Sequence, residues 1–155
     1  MGRDFPIPIN GADYVYMSQI LQAHGITKGI YAHRRAKPYN MGTLYWQLND
    51  CWPAVSWSSM DGLGNRKALQ YQAKKAFKNL IISTTQTEKN VAIYIVNDTF
   101  SEIKNKLVIS HLDFKGNNLF DEEITFNSPI NSSEIAYNYD ISNKEFVREN
   151  SFLKL

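Results

Sequence analysis

Hydrophobic positions along the chain change their spacing near residue 79. Before it, Tyr14, Met17, Ile20 and Leu21 recur at helical intervals and predict a helix over 13–36, with Asp13 in place to cap its start. Gly25 and Gly29 weaken its middle, so the pattern fits two short helices or one with a soft point. Lys37-Pro38 ends it, because the residue before a proline is pushed out of the α region. Thr43 to Leu48 reads as a buried strand centred on Leu44–Leu48, and a loop follows from Asn49 to Asn65. A second helix is expected over 66–78, with Ala68, Leu69, Ala73, Ala76 and Phe77 on one face and Lys67, Lys74 and Lys78 on the other.

After Asn79 the runs are short and β-rich: 80–83, 91–96, 106–114, 120–126, 133–139 and 151–155. Turn signals at Asn97-Asp98, 115–118, 127–129 and Ser142-Asn143 separate them. Phe120, Ile124 and Phe126, and again Ile135, Tyr137 and Tyr139, alternate as a half-buried sheet requires. Six such runs predict an antiparallel sandwich. The first part is a harder case, since one strand between two helices belongs to a parallel sheet or barrel whose other strands must come from elsewhere.

Composition changes this picture little but removes several functions. At 155 residues, 43% hydrophobic and 13% aromatic, the chain has an ordinary globular make-up. Its 17 basic and 15 acidic residues are well mixed, and no basic doublet sits in an aromatic array, which disfavours nucleic acid. The single Cys51 excludes an internal disulfide and reads as a small buried hydrophobe. His24, His33 and His111 lack ligand spacing, so no metal or other cofactor is implied. No apolar run approaches the ~20 residues of a membrane span, and the N-terminal residues lack a signal-peptide core. Ser56, Ser58 and Ser59 stand near Asp61 without a nucleophile elbow. Asn97-Asp-Thr99 and Asn131-Ser-Ser133 are formal glycosylation sequons.

The most informative stretch is 41–57, where Trp46, Trp52 and Trp57 fall within twelve residues, beside Gln47, Asn49 and Asp50. Indole faces stack on the C–H face of a pyranose, and amides and carboxylates bind its hydroxyls. The same spacing also suits a tryptophan-rich core strand, and composition leaves both readings open.

Two blocks, Tyr14–Gly25 and Met41–Ser59, resemble the β-mannosidase branch of family 2 glycoside hydrolases. In that family the Met-Gly-X-Leu-Tyr-Trp-Gln-Leu-Asn-Asp run forms the eighth strand of a (β/α)8 barrel. The resemblance makes 1–79 the C-terminal end of such a barrel (helix seven, strand eight, helix eight) and 80–155 a partial immunoglobulin-like β-sandwich. The implied fold class is thus an α+β fragment. Gln70 stands where the family usually has histidine, His24 where it often has an acidic residue, and Asn65-Arg66 where it usually has an aromatic.

Family 2 enzymes are retaining glycosidases that use two glutamates about 5–5.5 Å apart. In the family both lie upstream of the seventh helix. The glutamates here, Glu88, Glu102, Glu122, Glu123, Glu134, Glu145 and Glu149, all fall in the β-rich part. The resemblance therefore implies an excerpt of an enzyme acting on terminal β-D-mannosyl residues, with no catalytic residue of its own. It implies Trp46 as the platform under the sugar, with Asn49, Asp50 and Trp52 as further substrate-binding residues. The alternative is a non-catalytic carbohydrate-binding or interaction module built on the same tryptophans. An orphan barrel strand and a sandwich shorter than the usual ~100 residues also predict self-association. The parent is expected in a periplasmic, secreted or lysosomal setting.

Overall fold

The computed structural model describes residues 2–142 and 150–155; Asn143, Glu145 and Glu149, named above, lie outside them. The chain divides into two units, Met1–Lys78 and Asn79–Leu155.

The first unit is built on α1 (Gly11–Arg35) and α2 (Ala68–Ala76). α1 is one continuous helix of 25 residues, with Gly25 and Gly29 inside it. Its cap is Asn10 rather than Asp13: Asn10 Oδ1 accepts the Asp13 N–H at 2.9 Å, and Asn10 Nδ2 donates to Asp13 Oδ2 at 2.7 Å. Asp13 thus occupies the third helical position, where its carboxylate reaches back to the cap and favours the positive end of the helix dipole. Ala23, Leu69 and Ala73 form the core between the helices, with Ile26, Tyr45 and Ala68 against them. Buried Arg34 donates to the Ala76 carbonyl, which satisfies one of the carbonyls left open at the end of α2.

The strand expected over Leu44–Leu48 is not formed. A strand needs a ladder partner, and among the described residues the backbone finds one only from Gln47 onward. Ser59 N–H donates to the Gln47 carbonyl at 3.1 Å, Met60 N–H to Leu48 at 2.9 Å, and Asp50 N–H to Met60 at 3.1 Å. Side chains still alternate along the segment. Tyr45 and Gln47 are half-buried, while Leu44, Trp46 and Leu48 are exposed. The period-two pattern is thus kept without the sheet.

The second unit contains β1 (Leu80–Gln86), β2 (Asn90–Asn97), β3 (Ile103–Asp113), β4 (Asn118–Ser128), β5 (Ser132–Asp140) and β6 (Ser151–Lys154). They form two three-stranded antiparallel sheets of order β1-β2-β5 and β4-β3-β6. Val91 and Ile93 of β2 meet Leu107 and Ile109 of β3 in the core, with Ile141, Phe120, Ile124 and Phe126 around them. The alternation expected through Ile135, Tyr137 and Tyr139 is broken. Ile93 pairs Tyr137 and Tyr94 pairs Ile135, so Ala136 is a bulge residue and Ile135 turns outward. Both Asp61-Gly-Leu-Gly-Asn65 and Asp113-Phe-Lys-Gly-Asn117 close the same turn. In each, the aspartate accepts from the asparagine backbone N–H at 2.8 Å, and the glycine has φ +86° or +88°.

His111 is buried in the sandwich, with Nδ1 3.1 Å from the Tyr139 hydroxyl, and burial holds its pKa below the ordinary value. An unfolded histidine takes up a proton near pH 6.5, but the folded one resists it. Stability is therefore full above that pH and falls as pH drops toward the lower folded value. Urea midpoints measured across this window are expected to decline in the wild type and to be flatter in His111→Gln. Equal slopes in the two proteins would refute the assignment.

Candidate carbohydrate site

The segment 46–58 divides into side chains that face outward and side chains that hold it in place. Trp46, Trp52 and Trp57 are 73%, 69% and 63% exposed, so their indoles are surface features rather than core. Asn49 is exposed too, and its amide donates to the Asp50 carbonyl at 3.3 Å.

Asp50 behaves differently, because its side chain is 6% exposed and turned inward. Ser56 Oγ lies 2.7 Å from both carboxylate oxygens, and Ser58 Oγ lies 2.7 Å from Oδ2. Lys67 Nζ stands 3.4 Å from Oδ2 and donates to Ser58 Oγ at 2.8 Å, while Gln47 Nε2 reaches Oδ1 at 3.4 Å. Hydroxyl donation from Ser58 and Ser56, and then Lys67, hold the carboxyl below its ordinary range against the opposing effect of burial. A carboxylate has about four acceptor positions, and these partners use them. Asp50 therefore pins the end of the segment to the 56–60 loop and to the start of α2.

Neighbouring groups complete this frame. Ser59 Oγ is within hydrogen-bond distance of the Leu48 carbonyl (2.8 Å), Gln70 Oε1 (2.6 Å) and Tyr45 OH (3.0 Å). Gln70 thus has a defined contact in the position where the family resemblance led to histidine. Ser56 and Ser58 serve Asp50, whereas Asp61, nearer in sequence to Ser59, is committed to the Asn65 turn. Cys51 is exposed, contrary to the buried place expected for it, because Asp50 beside it turns inward. Sequence reasoning missed Lys67 as a partner of Asp50. The signal was a lysine next to the apolar face of a helix, which is too common to stand out.

The first unit contains no glutamate, and its aspartates are Asp4, Asp13, Asp50 and Asp61. In the second unit Glu122 and Glu123 are adjacent on β4 and point to opposite faces. Glu122 accepts from the Tyr137 hydroxyl, whose pKa is thereby raised to about 12, and Glu123 pairs with Lys106 at 2.6 Å on the surface. Glu122 and Glu123 thus do not present two free carboxylates to a common space.

Residues 89–155 match the Mannosidase Ig/CBM-like domain family. With its paired antiparallel sheets, the second unit is thus of the immunoglobulin-like class found in glycoside hydrolases. The relatives make the class more particular. Beta-mannosidase of Capra hircus is 35% identical over 104 residues, 63% of this chain and 12% of that protein. Beta-mannosidase A of Aspergillus flavus is 29% identical over 125 residues, 74% of this chain and 14% of that protein. The crystal structure of beta-D-mannosidase from Dictyoglomus thermophilum superposes with a TM-score of 0.89 at 30% identity, covering 96% of this chain and 18% of that one. The exo-chitosanase of Amycolatopsis orientalis, at 20% identity and a TM-score of 0.67 over 85% of the chain, shares the fold. The chain is a relative of the β-mannosidases of glycoside hydrolase family 2 and spans a small part of their length.

Proposed function

We propose that the chain is the portion of a retaining β-mannosidase that supplies one wall of the sugar subsite and leaves the chemistry to residues outside it. The observation that carries this reading is the exposed indole of Trp46 inside the 41–59 block. In this reading 1–79 is helix seven, strand eight and helix eight of a (β/α)8 barrel. Strand eight would gain its ladder partners from the rest of the barrel, and active sites of such barrels lie at the C-terminal strand ends. Trp46 is the platform for the mannosyl ring. Asn49 and Trp52, both exposed, contact the substrate beside it. Asp50 acts at one remove, by holding the strand end in place through Ser56, Ser58 and Lys67.

The two carboxylates of a retaining mechanism are then absent from this chain. The 155-residue chain alone is expected to release no p-nitrophenol from p-nitrophenyl β-D-mannoside. A polypeptide joining it to barrel sequence from the same reading frame is expected to do so, and Trp46→Ala in that polypeptide lowers kcat/KM about tenfold or more. Hydrolysis by the chain alone would overturn the division of labour. Unchanged kcat/KM in the variant would overturn the platform. The alternative, a non-catalytic sugar-binding module, rests on three exposed tryptophans in one segment. It is favoured if the joined polypeptide binds mannosides without cleaving them.

A further inference from the structure

A groove between α1 and the 54–57 segment has polar and aromatic walls that do not include Trp46. It is open, holds about 490 Å³ and has Tyr14, Gln19, Gln22, Ser56, Trp57 and Lys67 among its walls. That volume lies within the usual range for small-ligand sites. Trp57 and Tyr14 are 63% and 53% exposed and give it aromatic surface.

The two glutamines decide what it can hold. Gln19 Oε1 accepts the Ala68 N–H at 3.2 Å, which leaves its NH2 as donor. Gln22 Nε2 donates to the Trp57 carbonyl at 2.8 Å, which leaves its Oε1 as acceptor. Each amide is therefore oriented by a backbone group, and the two lie three residues apart on one helix face. A fixed donor beside a fixed acceptor matches a pair of neighbouring hydroxyls, each of which both donates and accepts. An indole nearby matches the C–H face of a pyranose. The Lys67 ammonium is engaged with Asp50 and Ser58, and no carboxylate side chain lines the groove, so a neutral ligand suits it.

We propose that this groove is a second saccharide site, taking a neutral mono- or disaccharide with Trp57 as the stacking surface and Gln19 and Gln22 as the hydroxyl ligands. The site stands independently of the Trp46 platform, and the two are separable by experiment. The test is an NMR titration of the 15N-labelled 155-residue chain with mannose and with mannobiose, using glycerol as a control. Saturable shifts are expected at the Trp57 indole N–H and at the Gln19 and Gln22 side-chain amides. The double variant Gln19→Leu, Gln22→Leu is expected to weaken binding about tenfold or more. Tyr14→Ala removes a helical side chain that is 53% exposed and outside the core between α1 and α2, and is expected to weaken binding several-fold. Trp46→Ala is expected to leave the Trp57 shifts unchanged. The proposal falls if these resonances do not move with either sugar, if glycerol moves them equally, or if Tyr14→Ala and the glutamine variant bind as the wild type does. Shifts confined to the Trp46 indole would refute the groove, whereas shifts at Trp57, Gln19 and Gln22 with Trp46 unmoved would support it whatever the fate of the subsite wall.

Discussion

Asn97→Ala is expected to destabilise the second unit by about 3 kcal/mol, and Asn97→Asp by more at neutral pH. Asn97 is fully buried at the end of β2. Its Nδ2 reaches the Ser101, Ser128 and Pro129 carbonyls at 2.9, 3.2 and 2.9 Å. Its Oδ1 accepts from the Thr99 N–H at 2.9 Å and from the Thr99 hydroxyl at 2.7 Å. The amide therefore ties the end of a strand in one sheet to the end of β4 in the other. Alanine leaves several of these groups without a partner away from water, and each such group costs about 1–3 kcal/mol, less what relaxation or entering water recovers. Aspartate keeps the acceptor but directs a carboxylate at three carbonyl oxygens. Its ionised form is disfavoured there, so its pKa rises on folding and stability falls as pH rises through that value. Urea unfolding near pH 4 and near pH 7 separates the variants. Equal stability of Asn97→Asp at the two pH values would contradict the burial argument. The same contacts close the first sequon, since a folded Asn97 has no amide nitrogen to offer.

Gly62→Ala is expected to cost about 1–3 kcal/mol and to displace Trp52. A Cβ on Gly62 would stand 2.5 Å from the Trp52 carbonyl carbon, 2.7 Å from its oxygen and 2.9 Å from its Cα. These are backbone atoms, so no side-chain rotation relieves the overlap. The 50–53 stretch must move outward, and the indole of Trp52 moves with it. Gly42→Ala is the control, because its Cβ would meet nothing within 4 Å. A thermal midpoint and a Trp52 indole resonance unchanged in Gly62→Ala would show that the loop has slack which this geometry does not allow. If Trp52 contacts substrate as proposed, Gly62→Ala also weakens sugar binding without touching the sugar.

The β-rich half was largely legible because its evidence is local. Turn residues and period-two runs placed the six strands described, and the bulges at Leu119 and Ala136 escaped, since one inserted residue leaves no compositional mark. The two helices were equally plain, and Asn10 displaced Asp13 as the cap because the two residues share one reciprocal contact. The candidate site was legible in part. The tryptophans and Asn49 could be named from the 41–57 cluster. Gln19, Gln22 and Lys67 could not, because they lie far from it in sequence and meet it only through the packing of α1 and α2.

By itself, then, the sequence determined the two helices, the strands of the second unit, the change of pattern near residue 79 and the kinship with β-mannosidases, all of which rest on neighbouring residues and short motifs. The strand expected over Leu44–Leu48 needed ladder partners that local pattern does not supply. Tertiary structure alone decided which polar groups of the aromatic segment face solvent and which face one another. Asp50 and Asn49 are adjacent and read alike on paper. Two serines and a lysine, brought together by the fold, draw Asp50 inward and leave Asn49 on the surface, because a carboxylate can be buried only where donors and a countercharge converge on it.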